Sequence, residues 1–302
     1  MNMEIKYHKP VLLEEAIAGL KIRPDGVYVD VTYGGGGHSN ALLEKLNENG
    51  RLFGFDQDAD AQAHRIEDPR FEFVAANFRH LTQYLKYHHI QSVQGILADF
   101  GVSSHQFDTA ERGFSTRWEG RLDMRMNQAQ VQDAHAVINT YEESELSRIF
   151  FQYGELKNAR SLAKTIVLAR SEKPIDTTSD LTRAIKALIP ERWENKVLAQ
   201  LFQAVRIEVN EEMEVLQSFL EQAASVLAPG GRLVCISYHS LEDRCVKRFI
   251  NSGNFKGETE KDFYGNTLKP LKKVGKLITP SPAEIKQNSR ARSAKMRIAE
   301  KQ

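Results

Sequence analysis

The stretch GVYVDVTYGGGGHSNALLEKL, residues 26–46, decides the fold of this chain. It opens with a short apolar run, continues through four consecutive glycines, and then places Leu42, Leu43 and Leu46 on one face of a helix. Glycine is favoured where the backbone turns sharply or approaches a ligand closely. A strand, a glycine loop and a helix in this order predict the nucleotide-binding half of an open α/β sheet.

Apolar runs on both sides extend this pattern. GRLFGFD (50–56), RFEFVAANF (70–78) and GILADFGVSS (95–104) are separated by helical stretches, which indicates βαβ units and a buried parallel sheet. Strand signals return in VLAPGGRLVCISYHS (226–240), where Pro-Gly-Gly turns into a strand, and in KLITP and SAKMRIAEK near the end. We therefore predict an open, doubly wound, mostly parallel Rossmann-like sheet.

Residues 109–209 interrupt the strand pattern, and their amphipathic segments predict an all-helical insertion large enough for its own core. These segments are 144–153, 159–171, 179–189 and 194–209. The predicted organisation is a cofactor-binding sheet domain in two parts, 1–108 and 210–302, with the insertion between them.

The composition excludes several classes of protein. No apolar run approaches the roughly 18 residues of a membrane helix, and the N-terminal residues lack the apolar core of a secretory signal. Cys235 and Cys245 form no C-x-x-C pair, which argues against a disulfide framework and a cysteine-built zinc site. His88 and His89 have no companion ligands. We expect a cytoplasmic protein with no metal and no membrane association.

The charge is unevenly distributed. The net charge is +1, but residues 244–302 hold 15 Lys and Arg against 5 Asp and Glu. A basic tail on a mildly acidic body indicates either a polyanionic partner or a solvated charged surface.

Two aspartates bear on the identity of the cofactor. Asp56 lies 19 residues after Gly37, where a carboxylate accepts the hydroxyls of an adenosine ribose in dinucleotide and methyl-donor enzymes alike. Asp30 closes the first strand, where it would repel a pyrophosphate by roughly 1–4 kcal/mol. The same carboxylate attracts S-adenosylmethionine (SAM), which carries a sulfonium and an ammonium. The loop therefore favours SAM.

Three further residues are candidates at the edge of the sheet. Phe78 follows the third strand and either covers an adenine or belongs to the core. Asp99 ends the fourth strand, where doubly wound proteins place their chemistry, and it is the first candidate for a catalytic acceptor or base. His239, just after a strand at the same edge, is either a second catalytic candidate or a structural hydrogen-bonding residue.

Seven motifs spread along the chain together resemble the MraW family, the family of ribosomal RNA small subunit methyltransferase H. They are DVTYGGGGHS, GILADFGVSS, AERGFS, LDMRM, FQAVRIEVN, LAPGGRLVCISYHSLEDR and SRARSAKMRIAE. The resemblance implies a SAM-dependent enzyme that methylates the exocyclic N4 amino group of one cytidine in the decoding region of bacterial 16S rRNA. It also implies a methyltransferase sheet with a helical insertion. Its cofactor contacts fall on Gly36, Gly37, His38, Asp56, Phe78, Asp99 and Gln106.

The chain departs from the family pattern at a few positions. His105 and Ser289 stand where the family usually has Pro, and Tyr238 stands where it has Phe. Gln200 replaces an Arg and Arg121 replaces a Pro, both in the region expected to recognise RNA.

Arginines interleaved with Phe114 and Trp118 predict an RNA-binding loop, because guanidinium groups pair with phosphates and aromatic rings stack on unpaired bases. These arginines are Arg112, Arg117, Arg121 and Arg125. In the tail, Arg290, Arg292, Lys295 and Arg297 are candidates for phosphate contacts. The expected partner is 16S rRNA or the small ribosomal subunit, and the oligomeric state stays open.

We therefore predict a SAM-dependent rRNA cytosine methyltransferase. One alternative is an NAD-dependent oxidoreductase, which Asp30 disfavours. The other is a non-enzymatic RNA-binding factor on a methyltransferase scaffold, which would not need to keep Asp56, Asp99 and the glycines.

Overall fold

The computed structural model describes residues 10–265 and 268–302. The chain forms two compact units, one built from residues up to Gly101 together with Met213–Gln302, the other from Val102–Glu212. The sequence predicted the insertion at 109–209, whereas the helical unit begins and ends at 102 and 212.

The first unit is built on a sheet of seven strands within the described residues. The strands are β1 (Val27–Asp30), β2 (Arg51–Asp56), β3 (Phe71–Ala75), β4 (Val93–Asp99), β5 (Leu227–Ser237), β6 (Leu271–Ile278) and β7 (Lys295–Lys301). Their order across the sheet is β3-β2-β1-β4-β5-β7-β6. Strands β1 to β5 are parallel, and β7 runs antiparallel between β5 and β6. The predicted open, mostly parallel sheet is confirmed.

The helices follow in chain order, and α5 to α10 belong to the second unit. They are α1 (Leu13–Leu20), α2 (Gly37–Leu43), α3 (Ala59–Ala63), α4 (Leu81–Tyr87), α5 (Ser104–Asp108), α6 (Ala134–Thr140), α7 (Glu143–Gln152), α8 (Ala159–Glu172), α9 (Thr178–Ile185), α10 (Glu194–Asn210), α11 (Glu212–Val226), α12 (Ser240–Ser252) and α13 (Pro282–Gln287). Within the described chain, no helix is both long and apolar enough to cross a bilayer.

The central strands are apolar at successive positions because both faces of the sheet are covered. In β4, Ile96 packs into a core with Phe53 and Phe219, whereas its neighbour Leu97 packs into a second core with Leu52. Successive side chains of a strand point to opposite faces, so a run of buried residues requires a layer on each side. This arrangement fixes the carboxyl ends of β1, β2 and β4 along one edge.

The predicted Pro-Gly-Gly turn lies within β5. Val93 of β4 pairs with Leu227, but Gly95 already pairs with Arg232, so the residues between Leu227 and Arg232 bulge out of register. Gly230 there has φ +77°, a left-handed conformation that glycine adopts without strain.

The second unit has a helical core of its own. Its buried side chains recur three or four positions apart on α7, α8 and α10: Leu146 and Phe150, Leu162 and Ile166, and Leu198 and Leu201. Apolar residues that recur three or four positions apart form a stripe along one side of a helix, and these stripes pack together.

Candidate active site

Three aspartates end three neighbouring strands of the sheet. Asp56 ends β2, Asp30 ends β1 and Asp99 ends β4, and these strands lie side by side in the order β2-β1-β4. The connections change direction at β1 and β4, and open α/β sheets bind their ligands in the crevice beyond the strand ends at such a point. The topology therefore places the candidate site at these three carboxylates.

The glycine loop leads from β1 into α2. Gly36 has φ +72°, and a Cβ there would lie 2.7 Å from the Tyr33 hydroxyl oxygen. At Gly37 a Cβ would overlap the ring of Pro10. These two glycines are therefore required by the conformation and the packing of the loop itself, and their contact with the cofactor stays a prediction.

Asp56 is anchored to the glycine loop. Its Oδ2 accepts a hydrogen bond from the backbone N–H of Gly34 at 2.8 Å, and its Oδ1 accepts one from the N–H of Asp58 at 2.9 Å. Burial raises the pKa of Asp56 to about 6. Each carboxylate oxygen has a second lone pair, so the fixed carboxylate can still accept from two vicinal hydroxyls.

Asp30 is enclosed by the chain and only 1% exposed. Its Oδ2 accepts from the Ser39 hydroxyl at 2.7 Å, and its Oδ1 accepts from the N–H of Thr32 at 3.1 Å. Burial raises the pKa of Asp30, an effect that His38 opposes. The oxygens of Asp30 therefore hold the loop in place, and an electrostatic effect of Asp30 on the cofactor stays a prediction.

Asp99 lies among groups from three other elements. Its backbone N–H donates to Thr32 Oγ1 at 2.6 Å, and its Oδ1 accepts from the Tyr238 hydroxyl at 2.8 Å. Its Oδ2 lies 3.8 Å from Nδ1 of His38, a predicted cofactor residue, whose Nε2 lies 3.1 Å from the carbonyl oxygen of Val11. Burial raises the pKa of Asp99 to about 6, so at neutral pH the carboxylate is mainly ionised and can only accept hydrogen bonds.

Tyr238, which the sequence marked only as a departure from the family's usual Phe, is a further residue of this site. It follows β5 directly, and β5 pairs in parallel with β4 so that Asp99 is opposite Ile236. A polar side chain directly after a buried parallel strand is the signal that could have identified it, because such residues gather at the carboxyl edge.

Phe78 lies at the same edge and is half-buried. Its ring packs edge-on against Phe219 at 5.3 Å between centroids and lies 6.3 Å from Phe100. Contacts of this kind fix the plane of an aromatic ring. Phe78 is thus part of the core boundary, and its contact with an adenine stays a prediction.

His239 has a structural contact at the start of α12. Its Nδ1 accepts from the backbone N–H of Glu242 at 3.4 Å, while Glu242 Oε2 accepts from the backbone N–H of His239 at 3.3 Å. Together these bonds form a capping box, which satisfies backbone donors at the N-terminus of the helix. The geometry supports the structural alternative for His239 over the catalytic one.

Gln106, the remaining predicted cofactor residue, belongs to the helical unit. Its side chain accepts from the backbone N–H of Ser103 at 3.0 Å, and its own N–H donates to Ser103 Oγ at 3.2 Å. Gln106 therefore caps α5, and its contact with the cofactor stays a prediction.

The predicted RNA-binding loop of the helical unit contains two kinds of arginine. Arg112 is 3% exposed and donates to the carbonyl oxygens of Arg125 and Met126. Arg125 forms two hydrogen bonds to the carboxylate of Asp123, and Phe114 is buried in the helical core. The guanidinium groups of Arg112 and Arg125 and the ring of Phe114 hold the loop together, which corrects the RNA-contact interpretation of these three residues.

Arg117 and Trp118 are exposed, the indole to 58%. The Arg121 side chain is 63% exposed, although it donates one hydrogen bond to Asp133 at 2.7 Å. These three residues are the exposed members of the predicted RNA-binding set in this loop, and their contact with RNA stays a prediction. Gln200 donates to the carbonyl oxygen of Gly154 at 2.8 Å and has a role inside the helical unit.

The basic tail also contains both paired and exposed basic side chains. Arg297 is bound by Asp243 through two hydrogen bonds of 2.7 and 3.2 Å, and Lys295 lies 3.6 Å from the same carboxylate. Arg290 is half-buried, whereas Arg292 is exposed. Among Arg290, Arg292 and Arg297, Arg292 is the exposed one, and its contact with a phosphate stays a prediction.

The fold and the three carboxylates at the strand ends fit one class of protein: an open α/β enzyme with a nucleoside cofactor of positive charge. Besides burial, neighbouring carboxylates raise the pKa values of Asp56 and Asp99, so several negative groups lie close together here. Such a group of carboxylates repels a pyrophosphate and attracts a sulfonium and an ammonium group. The three carboxylates therefore fit SAM, with its ribose diol and its net positive charge.

Comparison with known proteins agrees with this class. The model of the MraW methylase family matches residues 5–302. Proteins of Flavobacterium johnsoniae, Christiangramia forsetii and Bacteroides thetaiotaomicron are 58%, 56% and 54% identical to the chain. The alignments cover 100%, 100% and 99% of this chain and 100%, 100% and 98% of those proteins, each of which is named Ribosomal RNA small subunit methyltransferase H.

The chain belongs to the MraW methylase family. It is a SAM-dependent methyltransferase, and the predicted cofactor is thereby confirmed.

Proposed function

We propose that this protein transfers the methyl group of SAM to the exocyclic N4 amino group of a cytidine in the decoding region of bacterial 16S rRNA. Methyl transfer is supported by the family, and rRNA as the substrate by the names of its full-length relatives. The observation that carries the chemistry is Asp99, an ionised hydrogen-bond acceptor at the crevice of the sheet. An enzyme with this substrate works in the cytoplasm, where ribosomes are assembled.

Most of the catalysis comes from positioning. SAM supplies an electrophilic methyl group, and transfer requires the acceptor nitrogen, the methyl carbon and the sulfur to lie in line. In the sheet unit, Asp56 would hold the ribose hydroxyls and Phe78 would cover the adenine, while Gly36, Gly37 and His38 would complete the cofactor contacts. The backbone hydrogen bonds to Asp56 keep its carboxylate in place before the cofactor arrives.

Asp99 compensates for a weak nucleophile. The lone pair of the cytosine amino nitrogen is delocalised into the ring, and a carboxylate that accepts from an amino N–H increases electron density on the nitrogen as the new bond forms. Because the pKa of Asp99 lies at about 6, the same carboxylate can take the proton that the amino group loses.

RNA binding would use the exposed residues of both units. The target base must be unpaired or turned out of its stack to reach a methyl donor. Trp118 offers a ring for stacking, and Arg117, Arg121 and Arg292 offer guanidinium groups to phosphates.

The proposal is tested by nucleoside mass spectrometry of small-subunit rRNA from cells with and without this protein. We expect N4-methylcytidine to be lost in its absence and restored by the wild-type chain. An rRNA with an unchanged methylation pattern would refute the proposed substrate.

Asp99→Asn separates cofactor binding from chemistry. If Asp99 accepts from the cytosine amino group, single-turnover rates at saturating SAM should remain about 10²- to 10³-fold below wild type. Full recovery of the rate at saturating SAM would reduce Asp99 to a ligand of the cofactor.

A further inference from the structure

Tyr238 is the donor that holds the carboxylate of Asp99. In the part of the chain that the structure describes, the hydrogen bond to this carboxylate comes from the Tyr238 hydroxyl, at 2.8 Å. Burial, together with the charge of Asp99, raises the pKa of Tyr238 well above its usual value, so the hydroxyl keeps its proton wherever the enzyme works.

His38 cannot replace this donor while its ring is neutral. The carbonyl oxygen of Val11 lies 3.1 Å from Nε2 of His38 and can only accept, so Nε2 carries the proton of the neutral ring. Nδ1 then faces Asp99 at 3.8 Å with a lone pair and donates nothing. A protonated His38 would attract Asp99, but at this distance it forms no hydrogen bond.

Tyr238 is itself fixed in position. Its backbone N–H donates at 2.8 Å to Glu242 Oε2, an oxygen that also takes part in the capping box of α12. One edge of its ring faces Gly101, where a Cβ would lie 3.6 Å from Cδ2 of Tyr238. A rigid side chain loses little entropy when it holds a partner, so the hydroxyl can set the orientation of the Asp99 carboxylate.

We propose that Tyr238 is a positioning residue for Asp99: its hydroxyl holds Oδ1, keeps the carboxylate ionised, and leaves Oδ2 and the free lone pair of Oδ1 to accept N–H groups of bound ligands. This inference rests on the proposed role of Asp99, and it concerns this chain in particular, because the family usually has Phe at position 238. It adds a residue from the end of β5 to a site otherwise built from β1, β2, β4 and their loops.

Four titratable groups act on Asp99. Burial raises its pKa, His38 from α2 and the Tyr238 hydrogen bond lower it, and Asp30 from β1 and Glu242 from α12 raise it. Loss of the hydroxyl removes one stabilising contact of the ionised form, so the pKa of Asp99 must rise further. The acid limb of activity, where Asp99 takes up a proton, then moves to higher pH.

The test is Tyr238→Phe, which keeps the ring and removes only the hydroxyl. We expect the pKa of Asp99 to rise by about one pH unit, which lowers its ionised fraction about fivefold at pH 6. The pKa is read in the cofactor-free protein from the ¹³C carboxyl resonance of Asp99, assigned by its loss in Asp99→Asn. Tyr28→Phe is the matched control, since it removes a buried hydroxyl that accepts from the N–H of Arg23.

Single-turnover rates across pH complete the test. We expect Tyr238→Phe to lose activity at low pH and to recover most of it above pH 8, with Tyr28→Phe like wild type. An unchanged Asp99 pKa in Tyr238→Phe, or an equal loss of rate at every pH, would overturn the inference. The titration needs no substrate, so it can contradict the role of Tyr238 while the proposed function holds. It can equally support the role of Tyr238 if the proposed substrate is wrong.

Discussion

Two largely buried aspartates of this protein have opposite electrostatic environments. Asp99, in the sheet unit, faces a histidine, a tyrosine and other carboxylates, and burial raises its pKa to about 6. Asp123, in the helical unit, is also buried, but the hydrogen bonds of Arg125 outweigh the desolvation and lower its pKa. The comparison teaches that an aspartate whose charge is not compensated within the chain is available to a ligand, whereas a fully paired one supports the fold.

The largest expected effect follows from breaking the ion pair between Asp123 and Arg125. Arg125→Ala leaves the buried carboxylate of Asp123 without its partner and should lower the free energy of unfolding by about 3–5 kcal/mol. Urea denaturation measures this loss. Arg117→Ala, an exposed arginine of the same loop, should stay within about 0.5 kcal/mol of wild type. Equal effects of the two variants would contradict the structural assignment of Arg125.

Asp56→Ala tests an aspartate that we expect to be available to a ligand. Loss of its hydrogen bonds to the ribose should weaken SAM binding by about 1.5–3 kcal/mol, or roughly 10- to 150-fold. Calorimetric titration measures the affinity. Asp68→Ala is the matched control, because Asp68 is bound by Arg70, which lowers its pKa to about 2. An unchanged affinity in Asp56→Ala would remove Asp56 from the cofactor site.

A smaller effect should appear in the pH dependence of stability. The pKa of Asp99 is about 6 in the folded chain and about 3.9 in an unfolded one. Between these values the folded chain binds more protons, so ionisation of Asp99 lowers stability as the pH rises through this window. Asp99→Asn removes this charge, so we expect the variant to be more stable than wild type at pH 8. Because the Asp99 side chain is 20% exposed, solvent screens its charge, and we expect a gain of only about 1–2 kcal/mol.

The same variant should match wild type at pH 4, where Asp99 is protonated in the folded chain. Thermal unfolding of the cofactor-free proteins at both pH values provides the measurement. A stability gain that is equal at pH 4 and pH 8 would show that the charge of Asp99 is not its cause.

The smallest effect concerns the tail. If Arg292 contacts a phosphate, Arg292→Ala should lower the slope of log affinity against log salt by roughly 0.7–0.9 for an rRNA fragment. Arg297→Ala should leave the slope unchanged, because Asp243 already binds this guanidinium. A reduced slope in the Arg297 variant alone would reverse this assignment.

The sequence predicted the strand ends well because their position depends on local pattern. Asp30, Asp56 and Asp99 each close an apolar run, and parallel strands bring their carboxyl ends to one edge. The bond between Tyr238 and Asp99 could not be predicted in this way. It joins residues 139 positions apart and depends on the pairing of β4 with β5 and on one side-chain rotamer.

The arginines of the predicted RNA-binding loop show a second limit of prediction from sequence. Arg125 lies two positions from its partner Asp123, yet the same spacing occurs in many solvated loops. The decisive fact is the burial of Arg112, Phe114 and Asp123 against the helical core, which is a property of the tertiary structure. Composition gave the right residue types for an RNA contact but could not show which side chains face inward.

The sheet unit is formed by two separate segments of the chain, and this has a consequence for its folding during synthesis. β4 pairs with β5, but the whole helical unit is translated between them. The helical unit is one continuous segment, and folds with local contacts form faster than sheets that must first close a long loop. While β5 is still being translated, we therefore expect the helical unit to be folded and β4 to be an edge strand of its sheet. Unpaired apolar edges invite intermolecular pairing, so the time until β5 emerges sets the period of greatest aggregation risk.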